Sequence, residues 1–186
     1  KQWAAVHRDA FYQVLGSRYI MYGEWMYAKH SVFYDALPHY FLEFDVLDRQ
    51  TGRFLDTSSR QRLLAGLPVV SVPVLAQKSF ARREELMGLL GVSRFITSGH
   101  RERLREVSGR LGLDPELQCR ETDPSGLMEG LYLKVEENGQ VAVRLKYVRA
   151  SFAQCVDESG THWLERPIVP NQLCVPLEKL FESCGQ

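Results

Sequence analysis

Asn138-Gly139 divides two β-prone runs, Glu129–Glu136 and Val141–Arg149, and no other feature constrains the fold as strongly. Asn-Gly accepts positive φ at both central positions of a type I′ turn, so the runs are expected to close as a two-residue hairpin. A tight turn faces Glu137 on Gln140. Carried along the ladder, it sets Leu133 opposite Arg144, Leu131 opposite Lys146 and Glu129 opposite Val148. Opposed and alternate residues share a face. One face should then carry Glu129, Leu131, Leu133, Val135, Ala142, Arg144, Lys146 and Val148, with Glu129 and Lys146 as diagonal neighbours about 7–8 Å apart. Tyr132, Lys134, Glu136, Val143, Leu145, Tyr147 and Arg149 make the other. The charged end admits two readings. It is a solvated sheet with a surface ion pair worth about 0–1 kcal/mol, or a cleft where a carboxylate and two cations meet a charged ligand.

The remaining chain supplies helices and further strands. Trp3, Val6, Ala10, Phe11, Val14 and Leu15 form a helical stripe, and Gly16 is placed to cap it. Arg18–Tyr27 reads as a strand holding a lone acid, Glu24, which must be paired, protonated or exposed to a cleft. Phe41–Asp48 is the next strand: Leu42, Phe44 and Val46 alternate with Glu43 and Asp45, giving one apolar and one acidic face. Thr51-Gly52 turns, and Thr57 or Ser58 is positioned to cap a short helix ending near Ala65-Gly66. Val69–Leu75 is strand-like, but Pro68 and Pro73 push it to an edge. From about residue 82 to 113 the pattern is helical, with a Leu86, Leu89, Leu90 stripe and a second through Leu104, Val107, Leu111 and Leu113. Arg101, Arg103, Arg105 and Arg110 read either as contacts to RNA phosphates or as a solvated helix face, and their alternation with Glu102 and Glu106 favours the solvated face. Arg166–Asn171 is too proline-rich for a regular element, and 177–184 suits a short terminal helix.

Composition narrows the function classes. The 186 residues suit one domain over 1–186 with a substantial core. The 23 basic and 23 acidic residues cancel, which argues against a broad nonspecific nucleic-acid binder while leaving room for a local basic groove. No apolar run of membrane-spanning length occurs, and the start lacks a signal-peptide layout, so a cytoplasmic setting is expected. Cys119, Cys155, Cys174 and Cys184 are widely spaced and read as free thiols in a reducing compartment.

Four stretches in order carry a resemblance: Tyr22-Gly23-Glu24-Trp25, Phe41–Val46, Glu129-Gly-Leu-Tyr-Leu-Lys134 and Arg144-Leu-Lys146. Together they resemble the ordered signature motifs of the covalent nucleotidyltransferases, the polynucleotide ligases and mRNA capping enzymes. The surrounding wording, Ala28–Ser31, Tyr34–Leu37 and Lys146–Phe152, is similar to bacterial and phage ATP-dependent RNA ligases. The resemblance implies an α+β nucleotidyltransferase (ligase adenylation-domain) fold, antiparallel sheets flanking a nucleotide cleft, with residues 82–113 as a helical insertion. It implies ATP, with Mg²⁺ or Mn²⁺, as cofactors and RNA ends as partners. The reaction joins a 5′-phosphate to a 3′-hydroxyl through lysyl-AMP and RNA-adenylate intermediates.

Residue by residue, the resemblance implies that Glu24 contacts the ribose and Phe44 stacks on adenine. Glu129 holds the metal, while Lys146, with Arg144 beside it, neutralises phosphate oxygens. Lys134 and Arg149 are further candidates for phosphate contacts. Arg144 departs from the family's frequent Lys-x-Lys. The larger departure is the nucleophile: none of Lys1, Lys29, Lys78, Lys134, Lys146 and Lys179 opens a Lys-x-Asp/Glu-Gly motif. The chain reads as a ligase domain missing its first segment, which becomes an expected partner, and self-adenylylation by this chain alone is not expected. The alternatives are a noncatalytic nucleotide- or RNA-binding module, and a DNA ligase or capping-type nucleotidyltransferase.

Overall fold

The computed structural model describes residues 1–153 and 167–182. It is a mixed helix-and-sheet fold in which a four-stranded sheet and a two-stranded hairpin face each other. In the first sheet β1 (Tyr19–Trp25) pairs antiparallel with β2 (Phe41–Asp48), whose other edge takes β3 (Arg53–Phe54) antiparallel and β4 (Val70–Ser71) parallel. The second sheet is the expected hairpin, β5 (Gly130–Glu137) and β6 (Gln140–Val148). Asn138 and Gly139 take φ of 52° and 79°, as the primed turn requires.

The N-terminal stripe folds as two helices rather than one, α1 (Gln2–Val6) and α2 (Arg8–Leu15), broken at His7, whose ring pairs with the Leu180 carbonyl oxygen at 2.9 Å. The break turns Val6 out to solvent, while Ala10, Phe11, Val14 and Leu15 of α2 pack on Val46, Leu64 and Leu67. Gly16, at φ 52°, ends α2 as anticipated. The cap of α3 (Thr57–Leu64) is neither Thr57 nor Ser58: Asp56 accepts from the Ser59 N–H at 2.7 Å. Pro68 and Pro73 hold the strand after α3 to the two residues of β4.

The helical stretch expected over about 82–113 folds as separate helices. α4 (Arg83–Met87) and α5 (His100–Arg110) are separated by irregular chain, and α6 (Pro115–Arg120) packs beside α5. Leu104 and Val107 of α5 enter a second core with Phe33, Cys119 and Val169, but Leu111 stays half-exposed. Arg103–Glu106, Arg105–Glu102 and Arg105–Glu116 pairs decorate the outer face, as the charge pattern predicted. Pro167–Asn171 makes only isolated bridges, and Leu177–Phe181 closes the described chain as a 3₁₀ turn. Cys155, Cys184 and the end of the expected terminal helix lie outside the described residues.

Candidate functional site

The site begins with a β-bulge. Tyr22 pairs with Asp45 and Gly23 with Glu43, so Phe44 is an extra residue in β2. The strict alternation expected for this strand breaks there. Val46 faces the helices, and Glu43 does too, paired with Arg60 of α3 and accepting from the Ser71 hydroxyl at 2.7 Å. Leu42 and Phe44 instead line a cleft, and the adjacent Asp45 faces the hairpin. Gly23 belongs to the same device: a Cβ there would run into the Phe41 ring and come within 2.8 Å of the Leu42 carbonyl oxygen.

A second bulge corrects the hairpin register. Glu136 pairs with Val141 as predicted, but Val135 pairs with Val143, leaving Ala142 unopposed. A one-residue slip moves every later side chain to the other face. Arg144 therefore lies opposite Lys134 and Lys146 opposite Tyr132, in place of Leu133 and Leu131. Lys146 shares its face with Tyr132, so the expected diagonal pairing with Glu129 is replaced by a face carrying Tyr132, Lys134, Arg144 and Lys146 together. Gly130 allows the strands to close just after Glu129: a Cβ would collide with the Tyr147 carbonyl oxygen and lie 2.9 Å from its carbon.

Three of the sequence-predicted residues meet in one cleft. Glu24, Phe44 and Glu129 line a cavity of about 250 Å³ together with Tyr34, Phe95 and Met128. The Tyr34 hydroxyl donates to Glu129 Oε1 at 2.6 Å, and burial first, then the Glu129 charge, pushes the phenol far above its ordinary range. It therefore stays a donor. Tyr34 is itself held by Asn171, whose Oδ1 accepts the Tyr34 N–H at 2.9 Å while its amide donates to the Met26 carbonyl oxygen at 2.8 Å. The other flank is fixed by Arg149, which is buried. It donates to the Met128 carbonyl oxygen at 2.8 Å and to Ser125 at 2.9 Å, and pairs with Asp123. With its donors so engaged, Arg149 supports the Glu129 backbone rather than reaching out as a phosphate contact. Its own N–H donates to the Glu129 carbonyl oxygen at 3.0 Å.

Lys134 and Arg144 converge beside this cleft, on Asp45. The Asp45 carboxylate has no exposed surface and takes the Tyr132 hydroxyl at 2.6 Å, Lys134 Nζ at 2.6 Å and Arg144 at 3.3 Å. Lys134 also donates to the Phe44 carbonyl oxygen at 2.6 Å. Burial, with Asp45 adding to it, pushes the Tyr132 hydroxyl up to about 12. Lys146 is exposed on the same face. Tyr34 and Asn171 are the site residues that sequence reasoning missed, whereas Asp45 lies on the acidic strand face it named, here turned onto the hairpin. A bulge and a contact 137 residues apart in sequence leave no local periodicity to read.

Among the described residues no group of three or more His, Cys, Asp or Glu side chains is arranged to hold a metal alone. The donor set suits magnesium in another way, since that ion takes one or two carboxylates with substrate phosphates and water. Glu129 is such a carboxylate on the cleft. No helix among the described residues is long and apolar enough to cross a membrane.

No curated protein and no solved structure matches the chain. A family model described as RNA ligase matches residues 1–148, which include all four motif stretches and every residue of the cleft. The chain belongs to the RNA ligase family.

Proposed function

We propose that this chain is the nucleotide-binding body of an ATP-dependent RNA ligase with a nucleotidyltransferase fold, its two sheets flanking the ATP cleft as a single domain. The observation that carries the reading is the convergence of Glu24, Phe44 and Glu129, from three separate sequence motifs, on one cavity. Phe44 offers its ring to the adenine, a stack worth about 1–3 kcal/mol. Glu24 accepts from the ribose hydroxyls. Glu129, one oxygen held by Tyr34, would hold a magnesium ion, which would supply charge screening of the phosphate oxygens for in-line displacement. Lys146 neutralises the same phosphates as a mobile point charge. Arg144 and Lys134, anchored on Asp45, set the positive wall beside them.

The attacking lysine of the first step lies in a Lys-x-Asp/Glu-Gly motif that none of the six lysines of this chain provides. This chain therefore binds ATP without forming a covalent adduct. Mass spectrometry of the chain with ATP and magnesium tests both halves. ATP retained under native conditions and lost on denaturation is the expected result. AMP surviving denaturation on any lysine overturns the assignment of the nucleophile, and no retention under native conditions overturns the nucleotide site.

A further inference from the structure

An aromatic and cationic path leaves the cleft and crosses from the hairpin onto the first sheet. Phe44 meets Tyr132 edge to face, ring centroids 5.9 Å apart. Tyr132 and Arg144 converge on Asp45, and the Arg144 guanidinium lies over the Phe54 ring, 3.8 Å from its centroid. Phe54 in turn packs against Tyr22 at 5.8 Å. Scattered exposed aromatics need no explanation. These are continuous, and each is fixed by a contact to the next, yet Tyr132 and Tyr22 keep 42% and 39% of their surface open and the Arg144 side chain keeps 43%.

Charge identifies the occupant. Asp45 is a single carboxylate facing two cations, Lys134 and Arg144, and Lys146 stands opposite Tyr132 on the same face. The path is therefore net positive and carries flat π surfaces already held in place. Single-stranded nucleic acid needs both, because its bases stack on rings and guanidinium planes while its phosphates need cations.

We propose that Tyr132, Arg144, Phe54 and Tyr22 form a stacking platform for single-stranded RNA, leading the nucleotides next to the reacting end away from the cleft. The proposal rests on the reading of the cleft as the ATP site and adds an RNA surface to it.

The test is an anisotropy titration of a labelled, 5′-phosphorylated single-stranded RNA oligonucleotide with the whole chain. ATP affinity in magnesium and thermal stability are measured on the same samples. Tyr22→Ala, at a residue that does not line the cleft, is expected to weaken RNA binding about tenfold, the lower part of the range for one lost stack. Tyr22→Phe keeps the ring and should retain RNA affinity, and neither variant should change ATP affinity. Arg144→Lys keeps the charge but loses the plane, so it is expected to weaken RNA binding without changing its salt dependence. RNA affinity unchanged by both Tyr22→Ala and Arg144→Lys overturns the platform. So does a parent chain that binds ATP but not RNA, whereas failure to bind ATP is what removes the reading of the cleft.

Discussion

The Tyr132 hydroxyl reaches from the hairpin to Asp45 of the opposing sheet, 2.6 Å away, and the same carboxylate draws in Lys134 at 2.6 Å. This contact joins the two sheets next to Phe44, which lines the cleft. The Lys134 side chain is 11% exposed, so removal of Asp45 strands a nearly buried cation. Asp45→Ala is expected to cost about 3–5 kcal/mol, the usual cost of breaking a buried pair on one side. Urea denaturation measures it. A loss below about 1 kcal/mol would show the contact to be a surface pair in effect.

Gly130 is expected to resist even the smallest substitution. In Gly130→Ala the new methyl meets backbone, the Tyr147 carbonyl, which cannot rotate aside as a flexible side chain could. The strands must part just after Glu129. A destabilisation of about 1–3 kcal/mol follows from overpacking, accompanied by weaker ATP binding because Glu129 moves with the strand end. Wild-type stability in chemical denaturation would contradict this.

Tyr34→Phe keeps the ring against Phe95 and deletes only the bond to Glu129. A hydrogen bond to a charged group is worth about 1.5–3 kcal/mol, so the carboxylate loses its fixed orientation. ATP binding in magnesium should weaken about tenfold or more, while binding in chelator should be unchanged. Calorimetric titration under both conditions separates the two, and equal losses in each would assign Tyr34 to the cavity wall alone.

Acid sensitivity should trace to two carboxylates outside the cleft. The Ser59 N–H holds Asp56 below the usual carboxylate range, and the Arg18 guanidinium does the same for Asp48. A depressed folded-state pKa means the stabilisation is complete above the unfolded value, about 3.9, and is lost as pH falls through the folded one. Asn remains a good helix cap. Asp56→Asn should therefore fold well at neutral pH yet lose less of its melting temperature than the parent chain below about pH 4. Parallel pH dependences would contradict the assignment.

Much of this arrangement was legible in the sequence because it is local. Asn138-Gly139 announced its turn, the limits of β2 came from one apolar alternation, and Glu24, Phe44 and Glu129 were recognisable from motif order. The two bulges were not legible. An extra residue at Phe44 or Ala142 leaves the residue types unchanged and alters only their faces, so period-two reasoning misassigns faces within β2 and carries the hairpin register one step wrong past Ala142. The bulges are what bring Phe44 and Asp45 to one side and gather Lys134, Arg144 and Lys146 on another. Tyr34 and Asn171 escaped for a different reason. Their importance lies in hydrogen bonds between distant segments, to Glu129 and across Met26, which sequence spacing cannot register.

Phe44 provides the most direct test of the nucleotide cleft. Calorimetric titration of ATP in magnesium should give measurable binding for the parent chain, binding weaker by about fivefold or more for Phe44→Ala, and near-parent binding for Phe44→Tyr, since one stack is worth about 1–3 kcal/mol. Phe44→Ala binding ATP as tightly as the parent chain would contradict the assignment of this cavity to the adenine.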